Sequence, residues 1–256
     1  MPRYHVPAVE RAFRIIELLG AAEAPVRMSD LSSMLNIPKT TILMILTTLE
    51  RMEYVSKTPH GQYQLTTKFI ELGSKSRSLK SLAREHLEGL ANELKLTVHL
   101  SGCIDDENVL IDKVNGPGFI QFSTFEGKRQ SFHATSSGKA MLAFMGDEQL
   151  SGILQKHPLK QYTPHTVTTV EQLMRQLEFV RRNGYAVEDE EEEAGVRCIG
   201  APIFNASHHL VAAVSVTGVL SELNGLAIPA VAEKVKQTAE IISQVLGYEV
   251  SSMVRD

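Results

Sequence analysis

A chain of 256 residues, 43% hydrophobic and 22% charged with a formal net charge of −4, carries enough apolar material for one large core or two modest ones and lacks the composition of a disordered chain. Its longest apolar stretches, such as Leu210 to Val216, fall far short of the roughly 20 residues that span a bilayer, and its first residues show no signal-peptide core; the reading is a cytoplasmic protein without a membrane partner. Two widely separated cysteines, Cys103 and Cys198, exclude a disulfide framework or a clustered zinc site and predict free thiols, with no metal and no cofactor.

The charge is unevenly spread. Residues 1–80 hold 11 Lys+Arg against 7 Asp+Glu, and the remainder 15 against 23, so a basic part precedes an acidic one. From Pro7, the segment VERAFRIIELLG places Val9, Ala12, Phe13, Ile16 and Leu19 on one apolar stripe of a helix ending near Gly20, with Arg11 and Arg14 turned to water or a partner. Ser29 reads as the N-cap of a short helix to about Leu35, and after Asn36-Ile37 a second helix opens at Pro38 and runs to about Met52. That is a helix-turn-helix pattern. The second helix buries Ile42, Ile45, Leu46 and Leu49 and leaves Lys39, Thr40, Thr41, Leu43 and Met44 for a partner. Thr and Lys near a helix start can bond phosphates, and methyl-bearing side chains can meet thymine methyls in the major groove. YVSKTPHGQYQLT alternates on both sides of a Thr-Pro-His-Gly tip, a β-hairpin whose Lys57 and His60 form a basic wing. With Arg11, Arg27 and Ser29 these are the candidate DNA contacts. Plain interaction modules use the same helix pair, so the pattern alone leaves both uses open.

GSKSRSLKS, small, polar and basic, leads into LAREHLEGLANELK with Leu82, Leu87, Leu90 and Leu94 at helical spacing, a linker helix. Strands follow at 97–104, 108–114 and 119–124, helices from about Ser136, Asp147 and Val170, strands at 185–188, 198–204 and 210–217, and a closing helix over about 229–246. The last two strands pair across Asn205-Ala206-Ser207-His208, giving an α+β sheet domain. The chain divides accordingly into residues 1–71, a linker helix over 72–95 and a domain over 96–250.

Two motifs carry chemistry in that domain. In HATSSGKAML, Thr135 to Gly138 enter a helix, so free N–H groups and the positive helix end converge where an anion would sit; an ordinary cap with a solvated Lys139 fits the same residues. In GYAVEDEEEEAGVRC, Glu188, Asp189, Glu190, Glu191, Glu192 and Glu193 are contiguous. Calcium loops interleave their ligands with Gly and small polar residues, so six contiguous acids read as a solvated loop held near Arg181, Arg182 or Arg197 rather than a metal site.

The order RAFRIIELL, LSSMLNIPKTTI, LERMEYVSK, GQYQL, HATSSGKAMLA and GYAVEDEEEEAGVRCIGAPIF resembles the isocitrate-lyase-regulator (IclR-type) transcription factors over about Val6 to Gly247. The resemblance implies a mixed α/β fold: an N-terminal winged helix-turn-helix, a linker helix and a C-terminal GAF-like α+β domain. That domain would bind a small organic-acid effector and modulate binding to double-stranded operator DNA by a homodimer or dimer of dimers. It implies no catalytic residues. The family's anion contacts fall on Ser136 and Ser137, its polar contacts on Glu188, Cys198, Ser215 and Thr217, and its apolar walls on Phe119, Phe122 and Val196. The sequence departs from the family where Glu188 replaces the common Asp, where Phe119 and Phe122 are bulky, and where Leu43 and Met44 replace a basic or aromatic pair.

One alternative makes the second domain a GAF-like thiol enzyme or redox sensor with Cys198 as nucleophile, Arg197 beside it and His133 as base. Against it, Cys198 opens an apolar strand beside six acids, a setting that disfavours a thiolate.

Overall fold

The computed structural model describes residues 6–75 and 78–249, without the side chains of residues 74 and 75. The chain divides into two compact units, residues 1–77 and residues 78–256.

The first unit contains α1 (Pro7–Ala21), β1 (Val26–Arg27), α2 (Met28–Leu35), α3 (Lys39–Arg51), β2 (Val55–Lys57), β3 (Gln62–Leu65) and α4 (Lys68–Lys75). Asn36 turns the chain between α2 and α3 in the left-handed conformation (φ 53°). This is the expected helix-turn-helix, and the wing is present, with β1 as a third strand on the far side of β3. Ser29 is not a cap. Arg27 occupies that position without a side-chain cap bond, and the Ser29 hydroxyl donates to Asp30 Oδ1 at 3.1 Å. The α1 stripe also differs: Ile15 and Leu19 are buried, whereas Val9 and Phe13 are 53% and 59% exposed. RAFRIIELL offers two overlapping stripes, and the core of Leu31, Ile42, Leu46 and Tyr63 takes the one on the C-terminal half of the helix.

The expected continuous helix over 72–95 is two helices. α4 lies in the first unit, where the Phe69 ring packs tilted against Tyr54 at 5.3 Å between centroids and Lys68 Nζ donates to the Met52 carbonyl at 2.7 Å. α5 (Leu79–Leu94) starts afresh, its Ser81 N–H capped by the Ser78 hydroxyl, and buries Ala83, Leu87, Leu90 and Ala91 in the second unit.

That unit is a six-stranded antiparallel sheet in the order β6-β5-β4-β9-β8-β7, built from β4 (Thr97–Ile104), β5 (Glu107–Val114), β6 (Arg129–Gln130), β7 (Ala186–Asp189), β8 (Val196–Phe204) and β9 (Leu210–Val219). Side chains alternate across the strands. Val98 and Leu100, Ile199, Ala201 and Ile203, and Ala212, Val214 and Val216 face a core shared with α5 and α9 (Ile228–Val245). The other face packs α6 (Ser136–Leu142), α7 (Asp147–Lys156) and α8 (Val170–Asn183) and carries Thr97, His99, Cys198, Ser215 and Thr217. The expected strand over 119–124 is irregular chain, and β6 replaces it on the edge. Side chains take up backbone carbonyls there: Lys113 Nζ donates to Phe122 and Thr124, and Gln121 Nε2 to Gly116 and Gly118. Among the described residues no helix is long and apolar enough to cross a membrane.

Candidate functional site

In the first unit Arg11, Arg27, Lys39, Thr40, Leu43, Lys57 and His60 are exposed, and Ser29 is half-buried. Lys39 and Thr40 open α3, while Lys57 ends β2 with its ammonium 5.6 Å from the Tyr63 ring. Thr41 and Met44 stand apart from these, lining an apolar groove that α3 shares with Val9 and Ala12 of α1.

In the second unit a cavity of about 260 Å³ opens on the α6 side of the sheet. Two cross-strand rows form its floor. Glu188 pairs with Cys198, Cys198 with Thr217 and Thr217 with Thr97; one step along, Gly200 pairs with Ser215 and Ser215 with His99. Because facing residues share a side of the sheet, a strand register brings together groups more than a hundred residues apart. One glycine lets α6 close over this floor, and another lets it pack against the chain at Phe132. A side chain at Gly200 would meet the Ser136 carbonyl carbon at 2.8 Å, and one at Gly138 would meet the Phe132 carbonyl oxygen at 2.3 Å. The Thr135 hydroxyl takes the Gly138 N–H and its carbonyl the Lys139 N–H, leaving those of Ser136 and Ser137 without a partner among the described residues.

Of the residues assigned to the effector site from the sequence, Phe122, Ser136, Ser137, Glu188, Val196, Cys198, Ser215 and Thr217 all line this cavity. Phe119 does not: it stands fully exposed within the irregular segment, with Phe122 supplying the apolar wall. His99, Thr124, Lys128, Tyr162, Glu192 and Glu193 also line it and went unassigned. His99 had a usable signal, since it lies two residues from Thr97 and so shares its face of β4, opposite Ser215 and Thr217. Lys128 and Tyr162 arrive on irregular chain, which has no period to read.

The polar floor is internally bonded. Cys198 Sγ lies 3.2 Å from Thr217 Oγ1, which is 3.3 Å from His99 Nδ1, and His99 Nε2 is 2.8 Å from Thr124 Oγ1. Burial, with Lys113 and Lys128 adding repulsion, pushes the His99 pKa down to about 3, so the ring is neutral. Glu188 is 1% exposed, and its Oε1 accepts the N–H groups of Glu191 at 2.6 Å and Glu192 at 3.1 Å. Burial outweighs those bonds and raises its pKa to about 7. Glu192 is raised as well, by burial first.

The acid run is not a solvated loop. Glu191 is buried and pairs at 2.6 Å with the ammonium of Lys139, itself fully buried. Asp189 pairs with Arg197 at 2.6 Å, Glu190 accepts the Gly195 N–H at 2.9 Å, and the hydroxyls of Thr163 and Thr166 donate to the carbonyls of Glu190 and Glu191. Arg181 instead donates to the Ala143 carbonyl, and Arg182 pairs with Glu178.

Cys198 is a poor nucleophile. Burial, then the nearby Glu188, raises its pKa well above the ordinary thiol value. His133 is engaged elsewhere, accepting from the Ser131 hydroxyl at Nδ1 and donating from Nε2 to the Lys160 carbonyl. Both cysteines are free.

Residues 8–59 match the family model for the IclR helix-turn-helix domain, and residues 74–244 the model for the C-terminal domain of bacterial IclR transcriptional regulators. The chain is 31% identical over 248 residues to the HTH-type transcriptional regulator XynR of Escherichia coli K12, covering 95% of this chain and 98% of that protein. It is 31% identical over 216 residues to the regulator KdgR of Dickeya chrysanthemi, covering 83% and 70%. Among solved structures, the IclR of Thermotoga maritima aligns with a TM-score of 0.65 at 32% identity, over 95% of this chain and 100% of that one. The chain belongs to the IclR family of bacterial transcriptional regulators, and it is a DNA-binding regulator rather than an enzyme.

Proposed function

We propose that the second unit binds a small organic acid in the cavity beneath α6, and that occupancy changes the operator affinity of a homodimer or dimer of dimers. The observation that carries this reading is the cavity's polarity. Two unpartnered N–H groups at Ser136 and Ser137 lie across from the hydroxyls of Ser215 and Thr217 and the carboxyl of Glu188. The first set suits a carboxylate and the second its hydroxyl or keto oxygens. The operator is held by the first unit, with Lys39, Thr40 and Leu43 on α3 and Lys57 and His60 on the wing as the contacts, and Arg11, Arg27 and Ser29 flanking them.

Transmission is supported by a through-sheet link. Neighbouring residues of β5 face opposite sides: Asp112 pairs with Leu100 on the α5 face and Lys113 with His99 on the cavity face. Lys113 Nζ holds the carbonyls of Phe122 and Thr124, two cavity residues, at 2.5 and 3.1 Å. On the other face the Asp112 carboxylate accepts Arg84 Nη1 at 2.9 Å and lies 3.6 Å from Lys80 Nζ. Both basic residues sit in the first turns of α5, which begins one residue after Ser78, where the second unit starts. A ligand that resets the Phe122–Thr124 wall thereby bears on α5, and coupling follows if the operator-bound and free states differ in affinity for it.

The test is a thermal-shift panel of keto, hydroxy, sugar and aromatic acids, because a ligand that binds only the folded state raises its melting temperature. At least one acid should stabilise the chain and alter operator affinity. Ser136→Pro or Ser215→Leu should abolish that response while operator binding persists. A panel without any shift, or operator binding indifferent to every acid that binds, defeats the proposal.

A further inference from the structure

Lys139 is among the largest side chains with no exposure anywhere in the molecule, and it is a lysine. It leaves α6 one turn after Ser136 and spends all three ammonium protons on different elements: Gln176 Oε1 of α8 at 2.8 Å, the Val187 carbonyl of β7 at 2.6 Å and Glu191 Oε1 at 2.6 Å. Well-packed apolar residues in place of a buried ion pair are often neutral or stabilising, so stability alone does not call for this pair. Its geometry serves something else. Glu191 stands in a turn whose N–H groups, its own and that of Glu192, hold Glu188 Oε1. The turn itself needs holding, since Glu190 adopts φ 57°, a conformation that side-chain-bearing residues avoid.

We propose that Lys139 is a positioning residue of the effector cavity: by pinning Glu191 it fixes the 190–193 turn, which in turn aims the Glu188 carboxyl and the Glu192 side chain at the ligand. The proposal rests on reading the cavity as the effector site, but the mechanical part stands on its own. Lys139 and Glu191 lie behind the cavity wall and do not line it. Their effect on a ligand is therefore indirect, and one wall residue, Cys198, reports the wall's integrity through its thiol.

The test uses the full chain carrying Lys139→Met with Glu191→Leu, an apolar pair that removes both charges together. Iodoacetamide labelling of Cys198, with Cys103 replaced by Ser in both proteins, reads the wall. The thermal shift given by pyruvate, lactate, gluconate and benzoate reads the site. We expect a melting temperature near that of the parent, at least tenfold faster labelling of Cys198, and at least tenfold weaker binding of whichever of these acids stabilises the parent. Parental labelling in a folded double variant overturns the proposal. If the double variant does not fold, Glu191→Gln, which keeps the volume and the acceptor but weakens the pin, decides it: labelling at least threefold faster supports the proposal, and an unchanged rate overturns it. If none of the four acids binds the parent, the labelling arm still decides the positioning role, while the cavity's assignment to these acids falls separately.

Discussion

The two units solve the burial problem in opposite ways. Every buried polar or charged side chain among the described residues, from Thr97 to Ser243, belongs to the second unit. The first unit closes its core on aliphatic residues and Tyr63. It keeps its polar groups outside and tolerates exposed Val9, Phe13, Leu43 and Met44. A surface that meets a phosphate backbone needs its charges in water until the moment of binding, whereas a cavity that reads a small molecule needs them desolvated and fixed beforehand. One chain therefore carries one core sensitive to volume alone and another sensitive to both volume and charge.

That contrast is open to attack at its two extremes. Lys139→Met alone strands the Glu191 carboxylate in the interior, and removing one partner of a buried pair costs roughly 3–5 kcal/mol. Protection of amides in α6, α8 and β7 against hydrogen exchange should collapse while α3 stays protected. Leu46→Ala, a volume change in the first core, should cost about 2–5 kcal/mol and do the reverse. If either substitution loosens both units equally, the cores are not independent and the contrast fails.

A second test sharpens the charge side of the comparison through pH. Glu188 has its pKa raised by burial from 4.5 to about 7. Between those values the folded chain holds a proton that the unfolded chain has released, so this group's contribution to stability is full at acid pH and declines as pH rises, levelling off above about 7. His99 works in the opposite sense, since its pKa is lowered to about 3 and the unfolded ring takes up a proton first as pH falls below 6.5. The two slopes oppose each other in the wild-type chain, and the diagnostic quantity is the difference from Glu188→Gln, in which the His99 contribution cancels. That difference should change by at most about 1.4 kcal/mol per pH unit, with the variant gaining relative to the wild type as pH rises from 5 to 7. A flat difference means that Glu188 is solvated and the cavity wall is not built as described.

The same contrast decides what could be read from the sequence. Periodicity located α3, α8, β4 and the β8–β9 hairpin within a residue or two, because each has one face in a core and the pattern of apolar residues records it. On α1 it placed Ile16 and Leu19 correctly against the core but added Val9 and Phe13, which are exposed, and missed Ile15, because two stripes overlap within RAFRIIELL and only the packing partner selects between them. It made a strand of residues 119–124 because FIQFST is short and rich in Phe and Ile, although the Lys113 side chain takes the Phe122 and Thr124 carbonyls that a ladder would have used. The cavity lining was legible on strands, where Ser215 and Thr217 must share a face. Glu191 was misread as solvated and Lys139 was left open for a physical reason: nothing local distinguishes a lysine facing water from one facing a carboxylate 52 positions away. Buried charge is a property of the pair.

The smallest expected effects lie on the outer surface of the first unit. Lys39, the only basic residue of α3 before Arg51, and Lys57 on the wing are both exposed and among the described residues hold no ion pair. If each meets a phosphate, replacing it by Ala releases about one fewer counterion on binding and reduces the slope of log affinity against log salt by about 1. Affinity should fall by a similar factor for operator and unrelated duplexes, leaving sequence preference intact, because phosphates carry no sequence information. Leu43→Ala, which removes a methyl-bearing contact and no charge, should leave the slope unchanged and narrow the gap between operator and unrelated DNA. Measured over a salt series, the two kinds of substitution separate positioning from readout. A lysine variant that changes preference but not slope would move that residue from the backbone to a base edge.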